Sequence, residues 1–228
     1  MKLIRYINGL GAIICLALTT SPARAGEILN FQAMAEPGGT YGESIWSTFT
    51  YVGSGFQLDV TATESFGDPA YVYLDAGNAG MGVCDAPNLY TNITNKLNSA
   101  TNSNRNLCKY SSDDNVSWSE ALSFVFNVDV LIEDIWFNNN HDVDQGLYTD
   151  SINIDGSVFT FNTDNGGPAN YSAGTSFLVG AGTPFDVSYN NEQFYVSGME
   201  VSVAVPEPSA LALLGLGLLG LTLSRKRI

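Results

Sequence analysis

The sequence has few basic residues, and most of them lie at its two ends. It contains nine Lys and Arg residues against 23 Asp and Glu residues. Residues 1–25 and 205–228 hold six of the basic residues but only one of the acids, so residues 26–204 carry three basic and 22 acidic residues, a net charge of −19. A surface this acidic repels nucleic acid and anionic lipid, so we expect no nucleic-acid partner.

Histidine is almost absent, since His141 is the only one in the chain. The sequence also lacks the Gly-x-Ser-x-Gly and His-Glu-x-x-His motifs that position catalytic groups in many hydrolases. A carboxylate pair for sugar hydrolysis remains an alternative, because the 22 acids form many pairs and no motif marks one of them out. The sequence therefore predicts a structural or binding protein rather than an enzyme, with a secreted glycoside-active enzyme as an alternative.

Neither apolar run of the chain reaches the length of an ordinary membrane span. The first run, from Ile7 to Leu18, follows two basic residues and has 12 residues. Ala23-Arg24-Ala25 then supplies a small–x–small cleavage site. We therefore predict that residues 1–25 are a secretory signal peptide and that the mature chain begins at Gly26.

The second apolar run forms part of an unusual C-terminal segment, residues 205–228. Pro206-Glu207-Pro208 precedes an apolar stretch at 210–223, which is followed by Arg225-Lys226-Arg227. At ~1.5 Å per residue a helix over this stretch spans roughly 21 Å, short of a ~30 Å hydrocarbon core. The segment therefore predicts a temporary inner-membrane anchor whose basic tip stays in the cytoplasm.

The order of Pro-Glu-Pro, apolar helix and basic tip resembles the PEP-CTERM sorting signal of Gram-negative bacteria. The resemblance covers residues 205–228. It implies processing by an exosortase, a membrane protease that cuts near the Pro-Glu-Pro step and releases the body to the cell surface or the medium. It also implies association with exopolysaccharide or biofilm matrix. In physical terms such a tail is a removable anchor, like the tail of a GPI signal.

The body between these ends, residues 26–204, shows the period-two alternation of β-strands. Apolar residues alternate with polar ones from Phe56 to Thr63 and from Leu122 to Ile132, with a change of phase at Asp134. A second change of phase falls at Gly198 in the last segment, and Asp155-Gly156 between two short apolar runs is a typical hairpin turn. We predict an all-β body, a single antiparallel β-sandwich or jelly roll.

Two cysteines remain after removal of the signal peptide, Cys84 and Cys108, and they bracket an Asn-rich segment at 88–106. In an oxidising compartment an even pair favours a disulfide, which would stabilise the fold by ~3 kcal/mol. A metal site is the alternative, but two thiols without a nearby His are too few ligands. We predict the disulfide and a surface loop between the two cysteines.

Two kinds of binding site are open in the body. Crowded acids near predicted strand ends, Glu120 with Asp142 and Asp144, could hold calcium, which prefers carboxylate and amide oxygens; alternatively these acids only solvate loops. A carbohydrate-binding module would expose aromatic side chains on one sheet face. The candidates for that face are Tyr71, Tyr73 and Trp136, each of which could equally belong to the core.

We predict that the exported protein begins at Gly26, because signal peptidase cleaves after the small residue that ends the Ala-x-Ala site. N-terminal sequencing of protein recovered outside the cytoplasm measures this directly. Replacement of Ala25 with a bulky residue is the control, since it should block cleavage at this site. An exported protein that retains residues 1–25 would contradict the prediction.

Overall fold

The computed structural model describes residues 26–64, 69–84, 115–138, 151–160 and 171–204. Strands dominate these ranges, and α1 is their one helix. In chain order the elements are β1 (Glu27–Asn30), α1 (Phe31–Ala35), β2 (Ser44–Trp46), β3 (Phe49–Val52), β4 (Gln57–Glu64), β5 (Tyr71–Asp75), β6 (Gly80–Cys84), β7 (Glu120–Phe126), β8 (Val130–Asn138), β9 (Ser151–Ile154), β10 (Ser157–Thr160), β11 (Tyr171–Ser172), β12 (Phe177–Val179), β13 (Pro184–Tyr189) and β14 (Tyr195–Val203).

The strands form two sheets, and every pairing between the described strands is antiparallel. The first sheet has the order β11-β8-β14-β6-β5-β2, with β1 also paired to β14 and β12 to β8. The second sheet has the order β10-β9-β13-β7-β4-β3. This confirms the predicted all-β sandwich. The predicted C-terminal helix lies outside the described residues.

The core lies between the two sheets, where the apolar half of each alternating strand faces inward. β7 contributes Leu122, Phe124 and Phe126, all fully buried. The intervening residues of this strand are only half-buried. Phe137 and Phe194 meet edge to face in the same core, with ring centroids 5.6 Å apart. The alternation recognised in the sequence is therefore the division between core and outer face.

The alternation from Leu122 to Ile132 belongs to two strands rather than one. The chain leaves the second sheet after β7 and enters the first sheet at β8, crossing at Asn127–Asp129. Asn127 holds the start of this crossover against β4, because its Oδ1 accepts a 2.6 Å hydrogen bond from the Gln57 amide. Both sheets direct their apolar residues into the same core, so the alternation of apolar and polar residues can continue unbroken from one sheet to the other. Period-two alternation alone therefore does not reveal the crossover.

Both predicted changes of phase correspond to irregular pairing between β8 and β14. The register shifts between Glu200 and Val201 opposite Asp134, and again between Val196 and Gly198. Such bulges insert one extra residue and turn the following side chains to the other face. The Asp134 carboxylate lies at the first bulge, where it accepts a 2.5 Å hydrogen bond from the Ser172 hydroxyl.

The Asp155-Gly156 hairpin is confirmed. It joins β9 to β10, and its two residues have φ angles of +46° and +77°. A type I′ turn requires positive φ at both positions, which Asp tolerates and Gly adopts freely. By contrast, α1 was not predicted, because five residues are too few to show a helical stripe. Its N-cap is Asn30, whose Oδ1 accepts a 2.8 Å hydrogen bond from the Ala33 amide.

Both termini of the described body lie at one end of the sandwich, which we call the tail end. β1 pairs with the last strand so that Glu27 stands opposite Val201. The Ala204 amide, just after β14, donates a 2.9 Å hydrogen bond to the Asp129 carbonyl at the crossover. The opposite end, which we call the distal end, contains the start of β14, where Val116 pairs with Phe194. At ~3.3 Å per residue the nine residues of β14 separate the two ends by about 30 Å.

Glu27 fastens the beginning of the body to the other sheet. Its Oε1 accepts a 2.7 Å hydrogen bond from the Tyr51 hydroxyl, and its Oε2 accepts one of 2.6 Å from the Ser54 amide. Burial and the Glu27 carboxylate raise the pKa of Tyr51 to about 12. The phenol therefore stays protonated and keeps donating at any physiological pH.

We predict that Gly80→Ala destabilises the fold by about 2 kcal/mol or more. The φ of Gly80 is +125°, and a Cβ there would lie 2.6 Å from the Val196 carbonyl oxygen, at the bulge in β14. Gly156→Ala is the matched control, because its φ is +77° but nothing lies within 4 Å of the added carbon. The control should lose only about 1 kcal/mol, the backbone cost alone. Urea denaturation of both variants measures the difference, and equal losses would contradict the proposed clash.

Candidate functional site

Of the three predicted calcium ligands, only Glu120 lies among the described residues. It begins β7 and is buried, and its Oε2 accepts hydrogen bonds from the Ser117 amide at 2.7 Å and the Ser117 hydroxyl at 3.1 Å. The carboxylate therefore closes the turn that leads into β7. Asp142 and Asp144 lie outside the described residues.

The calcium hypothesis stays a prediction. Within the described ranges, no three His, Cys, Asp or Glu side chains are grouped closely enough to hold a metal ion. Asn138 and Ser151, which flank the range 139–150, lie at the same end of the sandwich as Glu120. Glu120 therefore lies at the end of the sandwich where the described chain stops at Asn138 and resumes at Ser151.

The disulfide between Cys84 and Cys108 also stays a prediction. Cys84 is the last residue of β6 and is fully buried beside Ile45 and Tyr73. Cys108 lies outside the described residues, as does the predicted Asn-rich loop at 88–106. Cys84 opposes Tyr71 at the distal end, so any bond that it forms fastens the chain there.

Two of the three aromatic residues considered for sugar binding belong to the core. Tyr73 is fully buried and its hydroxyl donates a 2.5 Å hydrogen bond to Glu43 Oε1, and Trp136 is 8% exposed. Tyr71 is half-buried and packs against the small cluster that contains Tyr73 and Cys84. These three side chains therefore form no exposed aromatic face.

A different aromatic pair is exposed at the distal end, formed by Trp118 and Tyr189. The Trp118 side chain is 74% exposed. Of the large apolar side chains that are exposed in the described ranges, it is the aromatic one. Its ring is stacked on that of Tyr189, with centroids 6.2 Å apart and an angle of 18° between the planes. Tyr189 is the half-buried last residue of β13, so a rigid strand supports one side of the indole.

The backbone at Trp118 is held in an unfavourable conformation that directs the indole outward. Its φ is +44°, in the left-handed region that bulky residues rarely adopt. The turn that imposes this angle is closed twice: the Glu120 amide donates to the Ser117 carbonyl at 2.9 Å, and the Ser117 amide donates to Glu120 Oε2. Strain of this kind persists only when the surrounding structure fixes it.

Polar residues lie close in sequence to both members of the aromatic pair. Asn115, three residues before Trp118, and Glu192, three residues after Tyr189, are buried, and Asn115 Nδ2 donates a 3.3 Å hydrogen bond to Gln193 Oε1. In the connection that leads from Tyr189 to β14, Asn191 Oδ1 accepts hydrogen bonds from the amide and hydroxyl of Ser151 at 2.6 and 2.7 Å. None of the residues in the described ranges is Lys, Arg or His. The described chain on either side of the pair thus carries amides, hydroxyls and carboxylates.

The sequence alternation concealed Trp118. It lies in phase with Glu120, Leu122 and Phe124, and that phase faces inward along β7. The turn at Ser117–Glu120 reverses this orientation for Trp118, which stands two residues before the strand. A sequence signal did exist: Trp118 stands between two serines directly before the strand, where a turn is common.

The body ends directly before the C-terminal segment. β14 ends at Val203, the Ala204 amide still bonds to the crossover, and Pro206-Glu207-Pro208 follows. This is the organisation of an exported β-sandwich protein with a C-terminal sorting segment. The family model described as the PEP-CTERM protein-sorting motif matches residues 204–227. The chain therefore carries a PEP-CTERM motif, which marks it for export, membrane anchoring and processing by an exosortase.

No curated protein matches the chain, and no solved structure matches it. Similarity to known proteins was thus found for the sorting motif at residues 204–227. Among the described residues, no helix is both long and apolar enough to cross a membrane. The stretch at 210–223, where we predicted the temporary anchor, lies outside them.

We predict that replacing Pro206, Glu207 and Pro208 together with Ala stops processing. The apolar stretch and the basic tip are unchanged in this variant, so membrane insertion continues while the recognition step is lost. Uncleaved protein should accumulate in the inner membrane, as measured by immunoblotting of membrane and released fractions. Ser209→Ala is the control and should be processed normally. Unchanged release of the triple variant would contradict a role for the Pro-Glu-Pro step.

Proposed function

We propose that this chain is an exported, non-catalytic protein whose sandwich body is released at the cell surface and binds the extracellular polysaccharide of the matrix. The observation that carries the release step is the position of the sorting motif. Only Ala204 and Val205 separate β14 from Pro206. Cleavage near Pro-Glu-Pro therefore frees the complete sandwich without removing any of its strands.

The polysaccharide partner is supported by the character of the body's surface. Residues 26–204 carry a net charge of −19, which disfavours nucleic acid and anionic lipid as partners outside the cell. Extracellular polysaccharide is the other abundant polymer at that location, and the resemblance to sorted surface proteins implies it. The exposed aromatic pair of Trp118 and Tyr189 favours a carbohydrate-binding module over a purely structural role.

We favour binding over catalysis because no catalytic motif is present and the one candidate carboxylate that the structure describes, Glu120, is used in a turn. In a glycoside hydrolase two carboxyl groups, ~5–9 Å apart, must be available to the sugar as acid and as base or nucleophile. Glu120 Oε2 instead accepts two hydrogen bonds from Ser117 and is buried. The Glu120 carboxylate therefore has a structural use in this turn, and its removal should destabilise the turn.

The fractionation of the exported protein tests the proposal. We expect the processed protein in the polysaccharide fraction of the host's matrix, released by glycosidase digestion of that fraction. Washing with 1 M salt should not release it, because salt screens interactions between charges and the proposed binding to sugar rings does not depend on charge. Unrelated secreted proteins of the same culture are the control, because their content in this fraction measures non-specific retention by the matrix. Recovery of the processed protein in the free medium alone would overturn the proposed partner.

A further inference from the structure

The geometry points to a binding site for uncharged pyranose rings on the stacked pair of Trp118 and Tyr189, which we call the aromatic platform. This inference rests on the proposed function and specifies its site and ligand. An exposed indole backed by a second ring presents a flat, negatively polarised face. The C–H groups on one side of a pyranose ring carry a small positive charge and pack against such a face.

The platform is fixed before any ligand arrives. Trp118 is held at a φ of +44° by the doubly closed turn at Ser117–Glu120, and Tyr189 lies on a strand. A stacking surface that is already rigid loses little conformational entropy on binding, which raises its affinity for a weak ligand. The exposed indole contributes nothing to the core, and its backbone conformation is imposed by the turn that leads into β7.

The charge around the platform selects an uncharged ligand. Glu120 and Glu192 lie at the same end of the sandwich, and the described ranges contain no basic residue. A uronate or phosphate group would meet like charge there, and no residue of the described ranges supplies a cation to pair with it. Amides and hydroxyls such as those of Asn191 and Ser151 suit sugar hydroxyls, which both donate and accept.

The platform also lies where a polymer can reach it. It is at the distal end, opposite Val203 and Ala204, which lead into the sorting segment. The distance along β14 is about 30 Å. The sorting segment therefore follows from the end of the sandwich opposite the platform, so anchoring through that segment does not use the distal end.

Affinity electrophoresis of the exported, processed protein tests the site. Native gels would contain dextran, galactomannan or mixed-linkage β-glucan as uncharged polymers, alginate as a uronate, chitosan oligomers as a cation, or polysaccharide purified from the host. We expect retardation by at least one uncharged polymer. Trp118→Ala should weaken it at least about tenfold, since stacking on one aromatic ring is worth about that much. Leu178→Ala is the matched control, because Leu178 is 75% exposed and lies on the other sheet.

Tryptophan fluorescence provides an independent readout. Of the three tryptophans, Trp46 and Trp136 are buried and only Trp118 is exposed, so acrylamide should quench mainly Trp118. Addition of the retarding polymer should protect the protein from quenching. Trp118→Phe keeps an aromatic ring and should keep part of the retardation while losing the quenchable signal. Unchanged melting temperatures of the variants show that the fold is intact.

The outcomes separate this inference from the proposed function. If the host polysaccharide retards the Trp118→Ala variant as strongly as the unaltered protein, the platform is wrong and the matrix role stands. Loss of retardation in Leu178→Ala to the same extent would also overturn the platform. If alginate alone retards the protein, the charge argument is wrong. If chitosan alone retards it, the net charge of −19 explains the binding and the uncharged ligand is wrong. If no polysaccharide, including that of the host, causes retardation, both the platform and the proposed partner fail.

Discussion

The pairing of β14 is the constraint on which the first sheet depends. This strand pairs with β8 along most of its length, while its other side is divided between β1 and β6. The residues of β14 are mostly buried, and Val196, Met199 and Val201 face the core. Without β14 the sheet separates into β8 with its short neighbours and the group of β6, β5 and β2, and the first strand of the mature chain has no partner.

Period-two alternation was sufficient to predict the fold class, because burial on one face is a local property of a strand. It placed β4 and β7 and detected both bulges, since an extra residue inverts the phase that follows. It did not show that β7 and β8 lie in different sheets. That crossover depends on Asn127 and Asp129, whose partners Gln57 and Ala204 are distant in the sequence.

The candidate site was harder to predict for a related reason. Whether an aromatic residue is exposed depends on the tertiary environment, so the sequence left Tyr73 and Trp136 open between surface and core, and the structure buries both. Trp118, which the sequence analysis did not single out, is in phase with the inward residues of β7 and is nevertheless exposed, because the turn before the strand holds it at a positive φ. By contrast, the sorting segment is recognised by residue order alone and required no structure.

The central position of β14 affects the order in which the body folds during export. A chain is made and exported from its N-terminus, so the strand that unites the first sheet is the last part of the body to arrive. Until then the strands already outside the cytoplasm have unpaired edges, the condition in which β proteins aggregate. The contact of Glu27 with Val201, at opposite ends of the body, must also form late. The strong negative charge of the body acts against this aggregation. Mutual repulsion keeps incompletely folded chains apart until β14 of each chain has paired within its own sheet.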